Sequence, residues 1–118
     1  MTTPEGKTKR AVKAVLDRYD GMYSYMPVPF GYGKTTLDIL GCYRGRFFSI
    51  ETKAAGKKPT LRQTGELAAI GRAMGKTFVI AGPEDPRIEE LEAWLDELKG
   101  TIADDPYISP DEVRRRPL

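Results

Sequence analysis

The chain has 118 residues, 40% hydrophobic and 31% charged, enough for one compact domain and too few for two. It holds no histidine and a single cysteine, Cys42; imidazole chemistry and an internal disulfide are excluded, a zinc site is unsupported, and any metal must be held by oxygen. The net charge of +2 conceals a split: residues 1–76 carry fourteen Lys/Arg against six Asp/Glu, and residues 77–118 five against eleven. The basic segment suits a polyanionic partner, or simply solvates its helices.

Met1 to Lys7 lacks the apolar core of a signal peptide, and no apolar run nears the ~20 residues of a membrane helix. A cytoplasmic protein without membrane attachment is expected. Thr3-Pro4-Glu5 starts a helix, with Thr as N-cap, Pro in the first turn and an acid at the positive dipole end. Thr8, Val12, Val15, Leu16 and Tyr19 mark its apolar face, and Gly21 ends it. Glu5 lies on that face one turn before Thr8; it is a dipole complement or a group turned toward a site.

Tyr23 to Val28 reads as a strand, followed by a loop from Phe30 to Thr36. Gly33-Lys34-Thr35 has the ending of a P-loop, but Val28 stands where that motif needs its first Gly, and a strand follows instead of a helix. The P-loop is rejected. Lys34 remains a candidate backbone contact at a site rim.

Asp38 to Ile50 reads as two strands joined at Arg44-Gly45, a tight turn in which Gly supplies the positive φ. With that turn Asp38 faces Glu51 directly, and Lys53 shares the face of Glu51 because side chains alternate along a strand. Opposed like charges destabilise a sheet. Either the pair sits at a solvated strand end, or a divalent cation such as Mg²⁺ or Mn²⁺ lies between the carboxylates, with Lys53 beside it to stabilise charge or orient water.

A basic loop with Lys57 and Lys58 follows. Thr60-Leu61-Arg62-Gln63 has the form of a capping box opening a helix with a Leu67, Ile70, Met74 stripe and a stop at Gly75. Thr77 to Ala81 is a short buried strand. Asp85-Pro86 caps another helix, with Ile88, Leu91, Trp94, Leu95 and Leu98 toward the core, ending at Gly100. Residues 101–118, with three prolines and Arg114-Arg115-Arg116, read as an extended tail. The element order is α-β-β-β-α-β-α, an α/β domain with a mixed sheet flanked by helices.

Glu5 on a helix, Asp38, Glu51-Thr52-Lys53 and Gln63 on a following helix together resemble the PD-(D/E)XK nuclease superfamily, most closely its stand-alone virus-type replication-repair nucleases (VRR-NUC). The family's Gly-Lys-Pro-Thr-x-x-Gln is closely reproduced at Lys57 to Gln63, with Lys58 in the loop. Leu37 departs from the Pro of the motif name, a residue that shapes a strand and is not a ligand.

The resemblance implies a restriction-endonuclease-like core over residues 1–100, with 101–118 as a tail. It implies a Mg²⁺- or Mn²⁺-dependent DNA endonuclease, structure-selective and of the kind that resolves four-way junctions as a homodimer in DNA repair. In that scheme Asp38, Glu51 and the Thr52 carbonyl ligate the ion, and Lys53 orients or activates water. Glu5 holds a second ion or a metal-bound water, Gln63 positions the site, and Lys57, Lys58 and Arg62 meet phosphates. The rival is a catalytically silent nucleic-acid-binding module on the same fold; a plain protein-interaction domain leaves the facing carboxylates unexplained.

Overall fold

A computed structural model describes residues 3–27, 37–101 and 109–115. Helix α1 (Pro4–Leu16) starts as its sequence requires: Thr3 is the N-cap and its hydroxyl accepts the Gly6 N–H at 3.0 Å. It ends earlier than Gly21, at Leu16, where tighter turns take over with Arg18 N–H on Val15 and Tyr19 N–H on Leu16. Strand β1 (Tyr23–Tyr25) pairs with β2 (Ile39–Tyr43), which forms a hairpin with β3 (Arg46–Lys53). Of the strand expected from Tyr23 to Val28, three residues form the ladder, and Val28 and Lys34 lie outside the described residues.

Arg44 (φ 51°) and Gly45 (φ 80°) both take positive φ, the two-residue loop whose twist matches its strands. The register follows: Tyr43 faces Arg46 and Ile39 faces Ile50. Helix α2 (Leu61–Arg72) carries the chain over to β4 (Lys76–Ala81), which runs parallel to β3. The result is a mixed four-stranded sheet in the order β1-β2-β3-β4, completed by α3 (Arg87–Lys99).

Alternation along β3 sorts the layers. Phe48 and Ile50 point to the core shared with Val12, Val15 and Leu16 of α1 and Leu91 and Leu95 of α3. Trp94 stands edge-on to Phe48 and Phe78, with ring centroids 5.9 and 5.7 Å away. Gly41 is required here, because a Cβ would lie 2.4 Å from the Phe48 ring and 2.7 Å from the Tyr23 carbonyl. Phe47, Ser49 and Glu51 occupy the opposite face, on which α2 lies. That helix buries only Gln63 fully; its expected stripe is half-buried at Leu67 and Ile70 and 81% exposed at Met74.

Two sequence expectations are corrected. Met74 (φ 72°), not Gly75, takes the left-handed position after α2. The Met74 N–H reaches Gly71 and the Gly75 N–H reaches Ile70 in a Schellman closure. Gly75 is needed for space, since a Cβ there would lie 2.6 Å from Ile70 and 3.1 Å from Phe47. The tail is also not wholly extended: α4 (Pro110–Arg115) forms because Ser109 caps it through the Glu112 N–H, Pro opens it, and acids precede Arg114 and Arg115. Among the described residues no helix is long and apolar enough to cross a membrane.

Candidate active site

Strand β2 stops at Ile39, one residue short of the position facing Glu51, and the two carboxylates close the gap with a reciprocal clasp. The Asp38 N–H donates to Glu51 Oε1 at 3.2 Å, while Asp38 Oδ2 accepts the Thr52 N–H at 3.0 Å and the Thr52 hydroxyl at 2.6 Å. A side chain thus takes the ladder bond that a longer β2 would have made. Two lysines balance the acids. Lys53 Nζ lies 3.4 Å from Glu51 Oε2 and Lys9 Nζ 3.7 Å from Asp38 Oδ1.

Exposure grades across this cluster. Glu51 is 1% exposed, Lys53 15%, Asp38 21% and Lys9 35%, each for its side chain. Burial, reinforced by the neighbouring Asp38 charge, pushes the Glu51 carboxyl up to about 7 against the opposing pull of Lys53. Withdrawing a carboxylate from water disfavours its ionised form, and a second carboxylate adds to that. Glu51 is therefore an expensive group to bury at this spot.

Helix α1 is moored beside the pair by Thr8, which is fully buried. Its hydroxyl donates to the Lys53 carbonyl at 2.8 Å and accepts the Gly82 N–H at 3.0 Å, tying α1 to the ends of β3 and β4. This mooring determines which helical side chain meets the acids. It is Lys9, with Glu5 half-buried one turn before Thr8. Among the described residues no three acids form one metal-holding group, so Glu5 is not gathered with Asp38 and Glu51.

Gln63 belongs first to its helix. Its Oε1 accepts the Thr60 N–H at 2.9 Å and its own N–H donates to Thr60 Oγ1 at 3.2 Å, completing the expected capping box. The side-chain amide nitrogen is the part of Gln63 that the box leaves for other work. Lys57 and Lys58 are exposed and line a groove of about 610 Å³ with Gly82, Asp85 and Arg87. The groove opens one strand away from Lys53, whose register partner is Ala81. Asp85 braces it: its carboxylate accepts the Ala81 and Arg87 N–H groups and a 2.7 Å bond from the Arg87 guanidinium, which holds it down at about 2. Arg62 is exposed on the first turn of α2.

The donor set suits a hard divalent cation. Both carboxylates are anionic oxygen ligands, and Mg²⁺ needs only one or two of them beside water. The Thr52 N–H points toward Asp38, and N–H and C=O of one extended residue point the same way; the Thr52 carbonyl therefore also faces the space past the end of β2. Lys9 and Lys53 now supply the positive charge that such an ion would bring. Sequence reasoning missed Lys9 and the anchoring hydroxyls of Thr8 and Thr52. The one available signal was Lys9 standing four residues after Glu5, a full turn along the same helical side. No family model, no curated protein and no solved structure matches the chain.

Proposed function

We propose that this chain is a Mg²⁺- or Mn²⁺-dependent DNA endonuclease on a restriction-endonuclease-like core. The observation that carries the reading is the facing pair Asp38 and Glu51, with Glu51 buried and Lys53 beside it. A fold gains little from setting a buried carboxylate beside a second, partly exposed one unless their oxygens are wanted for a cation. Asp38 and Glu51, with the Thr52 carbonyl, would hold it; once bound, it supplies polarisation of a phosphoryl oxygen and acidification of water.

Lys53 then turns from neutralising Glu51 to holding the attacking water and offsetting charge on the phosphate. Water adds to phosphorus and gives up one proton to solvent, one P–O ester bond breaks, and the departing alkoxide takes up a proton from solvent. Lys9 is the second cation within reach of the phosphate. Glu5, which is not gathered with Asp38 and Glu51, would take part only through a second ion or a bound water, and the Gln63 amide would orient substrate at the rim. Lys57, Lys58 and Arg62 guide the backbone. With little surface for reading bases, selection of branched DNA by shape follows.

One observation favours the rival, a nucleic-acid-binding module without chemistry. Asp38 Oδ2 already serves two donors and each carboxylate has a lysine, so the cluster is electrostatically balanced without a metal. The experiment is cleavage of plasmid, linear duplex, single-stranded and four-way-junction DNA with Mg²⁺, Mn²⁺ or EDTA. Asp38→Asn is the informative variant: it keeps an acceptor for the buried Thr52 N–H, which Asp38→Ala would orphan. Asp38→Asn and Lys53→Ala should each lower the rate ~10²–10³-fold. Wild-type rates in Asp38→Asn, or full cleavage in EDTA, leave the silent module as the reading.

A further inference from the structure

The sheet face that carries Glu51 is only half covered. Helix α2 lies over β3 and β4, and among the described residues no helix covers β1 and β2 on that side. The register lines up Tyr23 with Cys42 and Phe47, and Tyr25 with Leu40 and Ser49, so all of these share the face of Glu51, while Asp38, just before β2, turns its carboxylate to the Thr52 hydroxyl and Lys9. Tyr23 is 66% exposed, Tyr25 49% and Phe47 45%. The two tyrosine rings sit 6.3 Å apart at 53°. Large aromatic groups left open in this number are unusual for a small domain.

We propose that Tyr23, Tyr25 and Phe47 form a stacking platform for unpaired nucleobases, feeding a single strand toward Asp38 and Glu51. It rests on the reading that the chain acts on nucleic acid and names the substrate feature selected: a strand with unpaired bases beside the cut. Spacing supports it. Leu40, with Tyr25 beside it, stands two residues from Asp38, about 7 Å along the strand, and Phe47 stands four from Glu51, about 14 Å. The rings are thus one to a few nucleotides from the carboxylates, with buried Ser49 and half-buried Leu40 in between.

Charge selects this occupant over an apolar partner. The acidic helix α3 packs on the opposite face through Trp94 and Phe48, which keeps Glu89, Glu90 and Glu97 away from the platform. At the hairpin end Arg46 lines one hollow with Phe47, and Arg72 on α2 is exposed, as are the acids Glu66 on α2 and Asp20 before β1. Exposed aromatic rings with cations at the rim are the features with which single-strand binders hold bases irrespective of sequence, since every base offers a π-face.

The test titrates the full chain with oligothymidylate and with blunt duplex in EDTA, following anisotropy and melting temperature. The Tyr23→Ala/Tyr25→Ala variant should keep its melting temperature, lose oligothymidylate affinity by at least about fivefold, retain its salt slope and bind blunt duplex as before. Tyr23→Phe/Tyr25→Phe, which keeps the rings, should restore binding. Unchanged oligothymidylate affinity, equal loss on both DNAs, or no binding by the wild type overturns the platform. So does a mass that drops from dimer to monomer in the alanine variant, which makes the face a contact between two copies. Cleavage of duplex in Mg²⁺ is scored separately: Asp38-dependent cutting with idle tyrosines removes the platform alone, and tyrosine-dependent binding without cutting removes the nuclease.

Discussion

Glu51 has a cost that pH exposes. Its carboxyl is pushed up to about 7 by burial and by Asp38, whereas an unfolded Glu titrates near ~4.3. Between those values the folded chain binds the extra proton, so stability falls as pH rises through that window and stays lower above it. Metal-free protein should melt at lower temperature at pH 8 than at pH 5 for this reason. Glu51→Gln should flatten that part of the profile, which melts in EDTA at the two pH values check. Mg²⁺ should restore more stability at pH 8 than at pH 5, because only the ionised carboxylate is a ligand. The register of the hairpin was legible in the sequence, since the Arg44-Gly45 turn fixes it as far as Ile39 and Ile50; beyond them Asp38 leaves the ladder and meets Glu51 through its N–H. The partnership of Lys9 with Asp38 was not. It depends on how Thr8 moors α1 to the ends of two strands, a tertiary contact with no local signature.

At the level of elements, Gly41 and Met74 make opposite predictions. Gly41→Ala forces a methyl into the Phe48 ring and the Tyr23 carbonyl, and overpacking of that kind costs about 1–3 kcal/mol. Met74→Gly relieves a left-handed backbone at φ 72° while giving up a side chain that is 81% exposed, for a gain of about 1 kcal/mol. Urea midpoints for both variants should therefore move in opposite directions. The same pair shows why helix ends were harder to read than strand register. Gly75 looked like the stop of α2 because glycine usually takes the left-handed residue, but contact with Ile70 and Phe47 claims it, and the strain passes to Met74. In α4 the Ser109 cap and Pro110 were present in the sequence and were outweighed by the density of prolines in the tail.

For the whole molecule, the charge split bears on assembly. Helices α1 and α3 lie on one side of the sheet, and α1 carries Lys7, Lys9, Arg10 and Lys13, whereas α3 carries Glu89, Glu90, Glu92, Asp96 and Glu97. Part of that acidity is used inside the chain. Arg18 reaches Glu92 at 3.0 Å, and the Tyr19 hydroxyl donates to Asp96 at 2.7 Å. Glu89, Glu90 and Glu97 remain exposed to solvent. A two-fold axis between these helices would set the acids of each copy against the bases of its mate, the self-complementary contact that an isologous dimer needs. It would leave both aromatic faces open; Lys9, which pairs with Asp38, would have to stay outside the contact for one dimer to meet two strands of a junction. Light scattering at micromolar concentration should then give twice the chain mass of 13.2 kDa at low salt. The mass should fall toward the monomer as salt rises, because exposed charge pairs are screened within ~10 Å at 0.1 M. A mass of one chain in both conditions, with and without junction DNA, removes the dimer, and the proposed cleavage would then act on one strand per encounter.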